Sequence, residues 1–439
     1  MKLTKNIAAG ISAILIAVSP IAASSPVYST DIAPLLNQHC VTCHRPGEIG
    51  PMPLRSYREV RPWAKALAAS VTARKMPPWD ADPTIGKFHN DRRLAQRDID
   101  LVVAWARNGA PEGDPRLTPT MPSFPEGWVI PKPDLVIPIS EEQVISAGGP
   151  DEYVKIIVDP GIAKDIWVKG VELRPGNRRV VHHAHVFLLR PDPPPVRGVQ
   201  PESPFVRSDT LQVISPDAPV INDGCAHPSG GYMIGREHGD SRTLLASFVP
   251  GMSPEVWPEG VAKKIPAGSK LMFDIHYSKV TGKEERDRTS VGLVFASGKP
   301  KLEAERLEAS NFYFEIPAGA ESHEVTACVT APKDIMLLSL LGHMHYRGKA
   351  FRFEATLPDG SKRVLLNVPH YNFDWQEMYR LEEPMRLPKG TVLRIVSLFD
   401  NSPNNRANPD PKQNVRWGEH TRTEMMDGWF EYVEAEPRH

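Results

Sequence analysis

From Asp134 onward the chain is written in short runs that alternate or are wholly apolar: "DLVIPI", "YVKIIVD", "IWVKGVEL", "VVHHAHVFLL", "KLMFDIHYS", "SVGLVFAS", "DIMLLSLLGHMHY", "AFRFEATL", "VLRIVSLF" and "WFEYVE". Turn signals such as "RPGN", "PAGS" and "LPDG" separate them. Short runs at this spacing, with turn signals between them, predict strands in antiparallel sandwiches. Proline, 45 of 439 residues, is roughly twice its usual share and favours turns and short strands over long helices. About 300 residues of this kind suit two sandwiches, with a break near 298–302 ("SGKPK").

The front of the chain reads differently. Residues 26–117 look helical, and "CVTCH" (40–44) has the C-x-x-C-H pattern of covalent haem attachment. Cys40 and Cys43, one helical turn apart, can take the two vinyl groups, and His44 then points at the iron. A disulfide or a zinc pair is the alternative, and the export signal described below argues against it. The sixth iron ligand is expected to be Met76 in "TARKMPPWDADP", ahead of two prolines that stop a helix. An open site or His89 is the alternative, and Met52 lies too close to His44 to reach the opposite haem face. In "QRDIDLVVAWARNGAP" (96–111), Ile99, Val102, Val103 and Ala106 fall on one helical face, and Gly109 and Pro111 end the helix. The proline-rich stretch 118–133 reads as a linker.

Residues 1–24 read as an export signal, with Lys2 and Lys5 ahead of the apolar "IAAGISAILIAV" and the small residues of "SPIAASS". No later segment is long and apolar enough to cross a membrane, so the mature chain is expected without a transmembrane segment, periplasmic or secreted. There, Cys225 and Cys328 can form a disulfide or remain two buried thiols. Lys and Arg number 52 against 53 Asp and Glu, which gives no electrostatic case for nucleic acid or an anionic membrane surface.

Histidines interrupt the apolar strands. In "VVHHAHVFLL" strand periodicity puts His183 and His185 on one face, with His182 opposite. In "LLGHMHYRGK", His343 and His345 share a face and form a two-point chelate, with Met344 turned away. A lone His276 in "KLMFDIHYSK" is by itself more often a core group than a ligand. "TEMMDG" supplies Met425 and Met426. A thioether added to His343 and His345 makes a soft set suited to Cu(I).

These motifs, in this order, resemble the copper type II, ascorbate-dependent monooxygenases that hydroxylate peptidylglycine and dopamine: the His-His pair, the "HY" strand end, the H-x-H strand and the "EM" near the C-terminus. The resemblance implies an electron-transfer copper on His182, His183 and His276, and an oxygen-binding, catalytic copper on His343, His345 and Met425. Adjacent His182 and His183 then require a twist or bulge in the strand, with His185 as packing, a supporting group or a fallback ligand. Met425 is favoured over Met426 because it directly follows Glu424. His420 is a candidate supporting group, while His227, His238, His323 and His370 are read as surface or core groups. Leu341, Asp427 and Trp429 stand where the peptidylglycine enzymes carry a carboxylate clamp, so a peptide C-terminal glycine is not the expected substrate.

The expected fold class is therefore multidomain: an all-α c-type cytochrome domain (26–117) of the kind fused to bacterial relatives, then two all-β jelly-roll-like antiparallel sandwiches (134–299 and 300–439). The expected function is hydroxylation of a C–H bond of a small organic substrate with O2. One covalent haem would relay electrons from an external donor to two coppers. The alternatives are a haem–copper redox relay or oxidase without organic hydroxylation, and a copper-binding or delivery protein.

Overall fold

A computed structural model describes residues 25–436, apart from 47, 49, 125–126, 150, 192–204, 209–210, 227–241, 250–251 and 280. The export signal and His227 and His238 lie outside the described residues. The expected fold class needs correction, because the chain is predominantly β and the described residues contain no separate all-α domain. Among the described residues α-helix is confined to short pieces in the front segment: α1 (Ala33–His39), α2 (Tyr57–Val60), α3 (Ala64–Thr72) and α4 (Gln96–Arg107). Ile32, Leu36, Leu54, Val71, Ile99 and Trp105 form a small core among them, and Gly109, at φ +84°, turns the chain away after α4.

Between α3 and α4 the chain leaves this helical cluster. Phe88 bridges to Leu381, the His89 N–H donates to the Arg380 carbonyl, and Asp82 N–H donates to the Asn367 carbonyl. Trp79, Ala81 and Phe88 are buried in the core of the C-terminal β unit. Prolines 77, 78 and 83 prevent helix through this stretch, and its aromatic side chains find their apolar partners in the β core. In the segment 128–133 the N–H groups of Val129 and Ile130 donate to the Glu172 carboxylate at 2.6 and 3.0 Å.

The first β unit packs two sheets on one core. One sheet runs in the order Leu135–Pro138, Ser290–Phe295, Ile166–Arg174, Val261–Ile265 and Leu302–Glu303, with Glu255–Val256 on Ile166–Arg174. Its last pairing is parallel. The other has the order Glu152–Val158, Lys270–Tyr277, Val181–Leu189 and Arg242–Phe248. Alternation decides which side chains leave this core. Ala184, Val186 and Leu188, with Leu271, Phe273 and Ile275, point inward. His183, His185 and His276 therefore point outward, to the opposite face.

The C-terminal unit is built the same way, from Glu305–Ser310, Asp427–Glu434, Ile335–His343 and Tyr379–Leu387 in one sheet, and His323–Thr330, Val392–Phe399, Gly348–Thr356 and Lys362–Val368 in the other. The Ile335–His343 strand carries a register shift between Leu337 and Ser339. Ile335 and Leu337 are in the core before it, Leu340 and Met344 after it. The bulge thus exchanges the two faces and turns Leu341, His343 and His345 out of the core. On the neighbouring strand Met426, Phe430 and Tyr432 point inward, which leaves Asp427, Trp429, Glu431 and Val433 on the outer face. Val433 packs into the core of the first unit, so the two outer faces meet.

That seam is closed by buried charge. Glu431 pairs with Arg306 at 3.2 Å and with Lys263 at 3.7 Å, and Glu255 pairs with Arg306 and Arg380 at 3.1 and 3.2 Å. Removing one partner of such a buried set costs about 3–5 kcal/mol. A disulfide joins Cys225 to Cys328 on the C-terminal unit. No helix among the described residues is long and apolar enough to cross a membrane.

Candidate metal centres

On the Val181–Leu189 strand, His276 faces His183 across the ladder while Tyr277 faces Val181. His182 is the extra residue of a bulge. In a regular strand it would point into the core with Ala184; the bulge releases it to the outer face beside His183. The Nδ1 atoms of His182 and His183 are 3.2 Å apart, and those of His276 and His183 3.4 Å. Among the described residues this is the one group of three or more His, Cys, Asp or Glu side chains that could hold a metal, its ligand atoms all within 4.8 Å of one another.

Two of the other ring nitrogens are held by carboxylates. His182 Nε2 lies 3.2 Å from Asp374 Oδ1, and His276 Nε2 lies 2.9 Å from Asp151 Oδ2. A carboxylate accepts only, so each imidazole carries its proton on Nε2 and turns an Nδ1 lone pair toward the others. Two lone pairs turned toward His183 Nδ1 are met either by its proton or by a cation, and carboxylate-backed imidazoles are the arrangement metal sites use. Burial, then the neighbouring His276, holds the His183 imidazole well below its usual pKa, and burial lowers that of His276 despite Asp151. Both are neutral at pH 7, as ligands must be. Tyr153 stacks on His276 with ring centres 4.4 Å apart, and its hydroxyl bonds Thr421 of the C-terminal unit.

His343 and His345 lie at the end of the Ile335–His343 strand with ring centres 5.1 Å apart and planes at 83°. Their Nδ1 atoms are occupied: His343 Nδ1 by Gln376 Oε1 at 2.5 Å and His345 Nδ1 by the Thr423 carbonyl at 3.1 Å. Both Nε2 atoms remain for a ligand. Burial lowers both imidazoles, that of His343 to about 4. Glu424 accepts the backbone N–H groups of His345 and Arg347 at 2.8 and 2.6 Å, which ties the chain at Met425 to the H-x-H turn. Met425 is half-buried against the C-terminal core, Met426 is wholly buried in it, and Met344 points into it.

Asp427 lies directly across the ladder from His343, and Trp429 across from Leu341. All four side chains therefore share the outer face. Leu341 and Trp429 cluster there with Leu244, Phe187, Met252 and Met378, an apolar wall contributed by both units. His420 contacts Tyr153, with ring centres 5.0 Å apart, on the side of the His276 group.

In the front segment Cys40 and Cys43 are not bonded to each other. Burial pushes the Cys40 thiol up to about 12 and raises Cys43 as well. His44 Nδ1 donates to the Met52 carbonyl at 3.1 Å and keeps Nε2 free. Gly50 sits against this turn so closely that a Cβ there would fall 2.7 Å from the Cys43 carbonyl oxygen and from His44 Nδ1. A cavity of about 150 Å³ opens beside Cys43, walled by Arg45, Glu48, Arg178, Ser247 and Met252 among others. Two thiols and a following imidazole are the donor set that covalent haem attachment uses. Met76 is half-buried after α3, at a cis peptide bond to Pro77.

One loop ties the three places together. Asp374 reaches His182, Phe373 packs edge-on to His183 and His345, and Gln376 holds His343. Glu377, next in the chain, pairs with Arg92 of the front segment. Asp151, Phe373, Asp374 and Gln376 gave no signal in the sequence, because their partners lie more than a hundred or dozens of residues away.

No family model and no curated protein matches the chain. Among solved structures it is similar to PNGF-II in the P21 space group (10% identity, 67% of this chain and 65% of that chain, TM-score 0.31). It is also similar to the cryo-EM structure of the Sputnik virophage (8% identity, 79% and 92%, TM-score 0.20) and to allantoicase (11% identity, 60% and 83%, TM-score 0.15). The chain spans 65% and 66% of the two PNGF-II chains it matches. Likeness at this level carries no argument about fold or function.

Proposed function

We propose that the protein is an extracytoplasmic haem- and copper-dependent monooxygenase that hydroxylates a C–H bond of a small organic substrate with O2. The observation that carries the reading is the meeting of three imidazole Nδ1 atoms, two of them backed by carboxylates on Nε2. Copper and haem, when bound, supply O2 binding and one-electron transfer, which the side chains of this protein cannot supply. His182, His183 and His276 would hold one copper, His343, His345 and Met425 the second, and Cys40, Cys43 and His44, with Met76, the haem.

The chain's own residues do the rest. Asp374 and Asp151 keep protons on the far nitrogens of His182 and His276; Gln376 and the Thr423 carbonyl do the same for His343 and His345. The apolar wall of Leu341, Trp429, Leu244 and Phe187 excludes water beside His343 and gives a hydrocarbon group a place to lie. Asp427, on the same face, would favour a cationic or hydroxyl-bearing substrate. Arg178, just ahead of His182 in the chain, pairs with Glu48 of the front segment, and Ser247, on the cavity beside Cys43, bonds His185. An external donor would feed the haem, and the disulfide and the export signal suit a periplasmic or secreted enzyme.

The test is the composition and oxygen use of the purified full chain. One covalent haem and two coppers per chain, with a metabolite gaining one oxygen atom from labelled O2, is the expected result. O2 uptake with a reductant and no organic product would make it an oxidase. Copper bound and transferred without O2 uptake would make it a delivery protein.

A further inference from the structure

We propose that Glu377 is a positioning residue for both histidine groups, anchored by Asn90 and Arg92 of the front segment. This rests on the copper reading given above only for what the positioned nitrogens receive. Gln376 and Glu377 are consecutive and buried, and they reach to different partners. Gln376 serves His343: its Oε1 lies 2.5 Å from His343 Nδ1, while its Nε2 donates to the Phe373 carbonyl at 3.1 Å. A carbonyl only accepts, so the amide is oriented with its oxygen toward the ring, and the neutral His343 imidazole carries its proton on Nδ1. Glu377 meets the front segment. It pairs with Arg92, and Asn90 Nδ2 donates to Glu377 Oε1 at 3.2 Å and to the Met378 carbonyl at 2.7 Å. Asn90 Oδ1 accepts the Arg380 N–H at 3.1 Å, so one side chain spans residues 377–380.

The same loop serves the first group. Phe373 stacks on His182 with ring centres 5.6 Å apart, and Asp374 Oδ1 accepts the His182 Nε2 proton. The loop is closed on itself: Gln376 holds the Phe373 carbonyl, Asn372 Oδ1 accepts the Asp374 N–H at 3.0 Å, and the Asn372 carbonyl accepts the Trp375 N–H at 3.1 Å. A closed turn moves as one body, so its place depends on how its two ends are held. Before it, the Tyr371 hydroxyl donates to the Met344 carbonyl at 2.7 Å. After it stands Glu377, with Asn90 and Arg92. The tolerance is small, because an N–H···O bond keeps its heavy atoms within about 3.2 Å. A shift of about 1 Å therefore takes Gln376 off His343 Nδ1. The freed imidazole can then carry its proton on Nε2, the nitrogen needed as a ligand. The front segment is thereby part of the scaffold that sets the histidines.

The experiment uses the full chain with isotope-labelled histidine, first metal-free and then titrated with Cu(II) against a chelator. Nitrogen NMR of the rings reads which atom carries the proton. Glu377→Gln removes the charge at constant volume; Asn90→Ala loosens the anchor and leaves the ion pair in place. His276, whose Nε2 proton is held by Asp151 outside this loop, is the internal control. The expected result is that both variants mix the two tautomers at His343 and weaken the preference at His182, Glu377→Gln the more strongly, while His276 keeps its proton on Nε2. Cu(II) affinity then falls by about tenfold in Glu377→Gln. Unchanged His343 and His182 signals in both variants would overturn the proposal, as would an equal shift at His276, the mark of general loosening. The expected tautomer shifts in a chain that binds no Cu(II) would overturn the copper reading and leave the positioning in place.

Discussion

Asp151→Asn is the substitution that probes the first histidine group most finely, because it alters one charge and almost no volume. Asp151 Oδ2 accepts the His276 Nε2 proton at 2.9 Å, and that bond is the main reason its carboxyl is held below the usual range. A charge-assisted bond contributes about 1.5–3 kcal/mol against about 0.5–1.5 for a neutral one. An amide oxygen in the same place therefore gives up about 1–1.5 kcal/mol, or about tenfold in metal affinity. If the amide turns its NH2 to Nε2, the imidazole must carry its proton on Nδ1, where the metal would bind, and the loss approaches about a hundredfold. Asp374→Asn makes the same change on His182, but the Asp374 side chain is 66% exposed against 34% for Asp151. Water screens it, and about threefold or less is expected. Competition titration of copper against a chelator of known affinity, on folded protein at one pH, reads both. Equal affinity for wild type and Asp151→Asn, or a larger loss from Asp374→Asn, would refute the reasoning.

Gly50→Ala would put a methyl group 2.7 Å from the Cys43 carbonyl and from His44 Nδ1. It should cost about 1–3 kcal/mol and lower covalent haem per chain, read by absorbance against total protein. Lys263 is wholly buried, and burial, with Arg306 beside it, pushes its ammonium down to about 8. Between about pH 8 and 10.5 the unfolded chain then binds a proton that the folded chain does not, so stability should rise with pH across that window; below pH 8 both states are protonated and the full penalty stands. Lys263→Met should flatten this rise, read by urea unfolding at pH 7 and pH 10. Asp427→Asn should weaken turnover of a cationic substrate more than that of a neutral one of the same shape, and equal effects on the two would remove Asp427 from substrate recognition.

Much of the β architecture was legible because strand alternation is local. "VVHHAHVFLL" and "DIMLLSLLGHMHY" carry their apolar faces openly, and the histidines stand out against them. The bulges were not readable with the same ease. Nothing in "LLSLL" marks the shift between Leu337 and Ser339 that turns His343 outward, and the bulge at His182 was required only by the resemblance. The all-α front domain failed for a related reason. α3 and α4 are locally encoded, whereas Trp79 and Phe88, in the proline-rich stretch between them, belong to a core assembled from residues more than two hundred positions later. The partners that set the imidazole tautomers, Asp151, Asp374 and Gln376, are polar residues in ordinary turns until the fold brings them to the rings.

Rapid mixing tests the central claim most directly. Full-length protein with reduced haem, loaded with copper or free of it, is mixed with O2 while the haem absorbance is followed. The account predicts that copper loading accelerates haem reoxidation, and that His276→Ala, which breaks the first histidine group, removes the acceleration. Haem that reoxidises at the same rate with and without copper would contradict it.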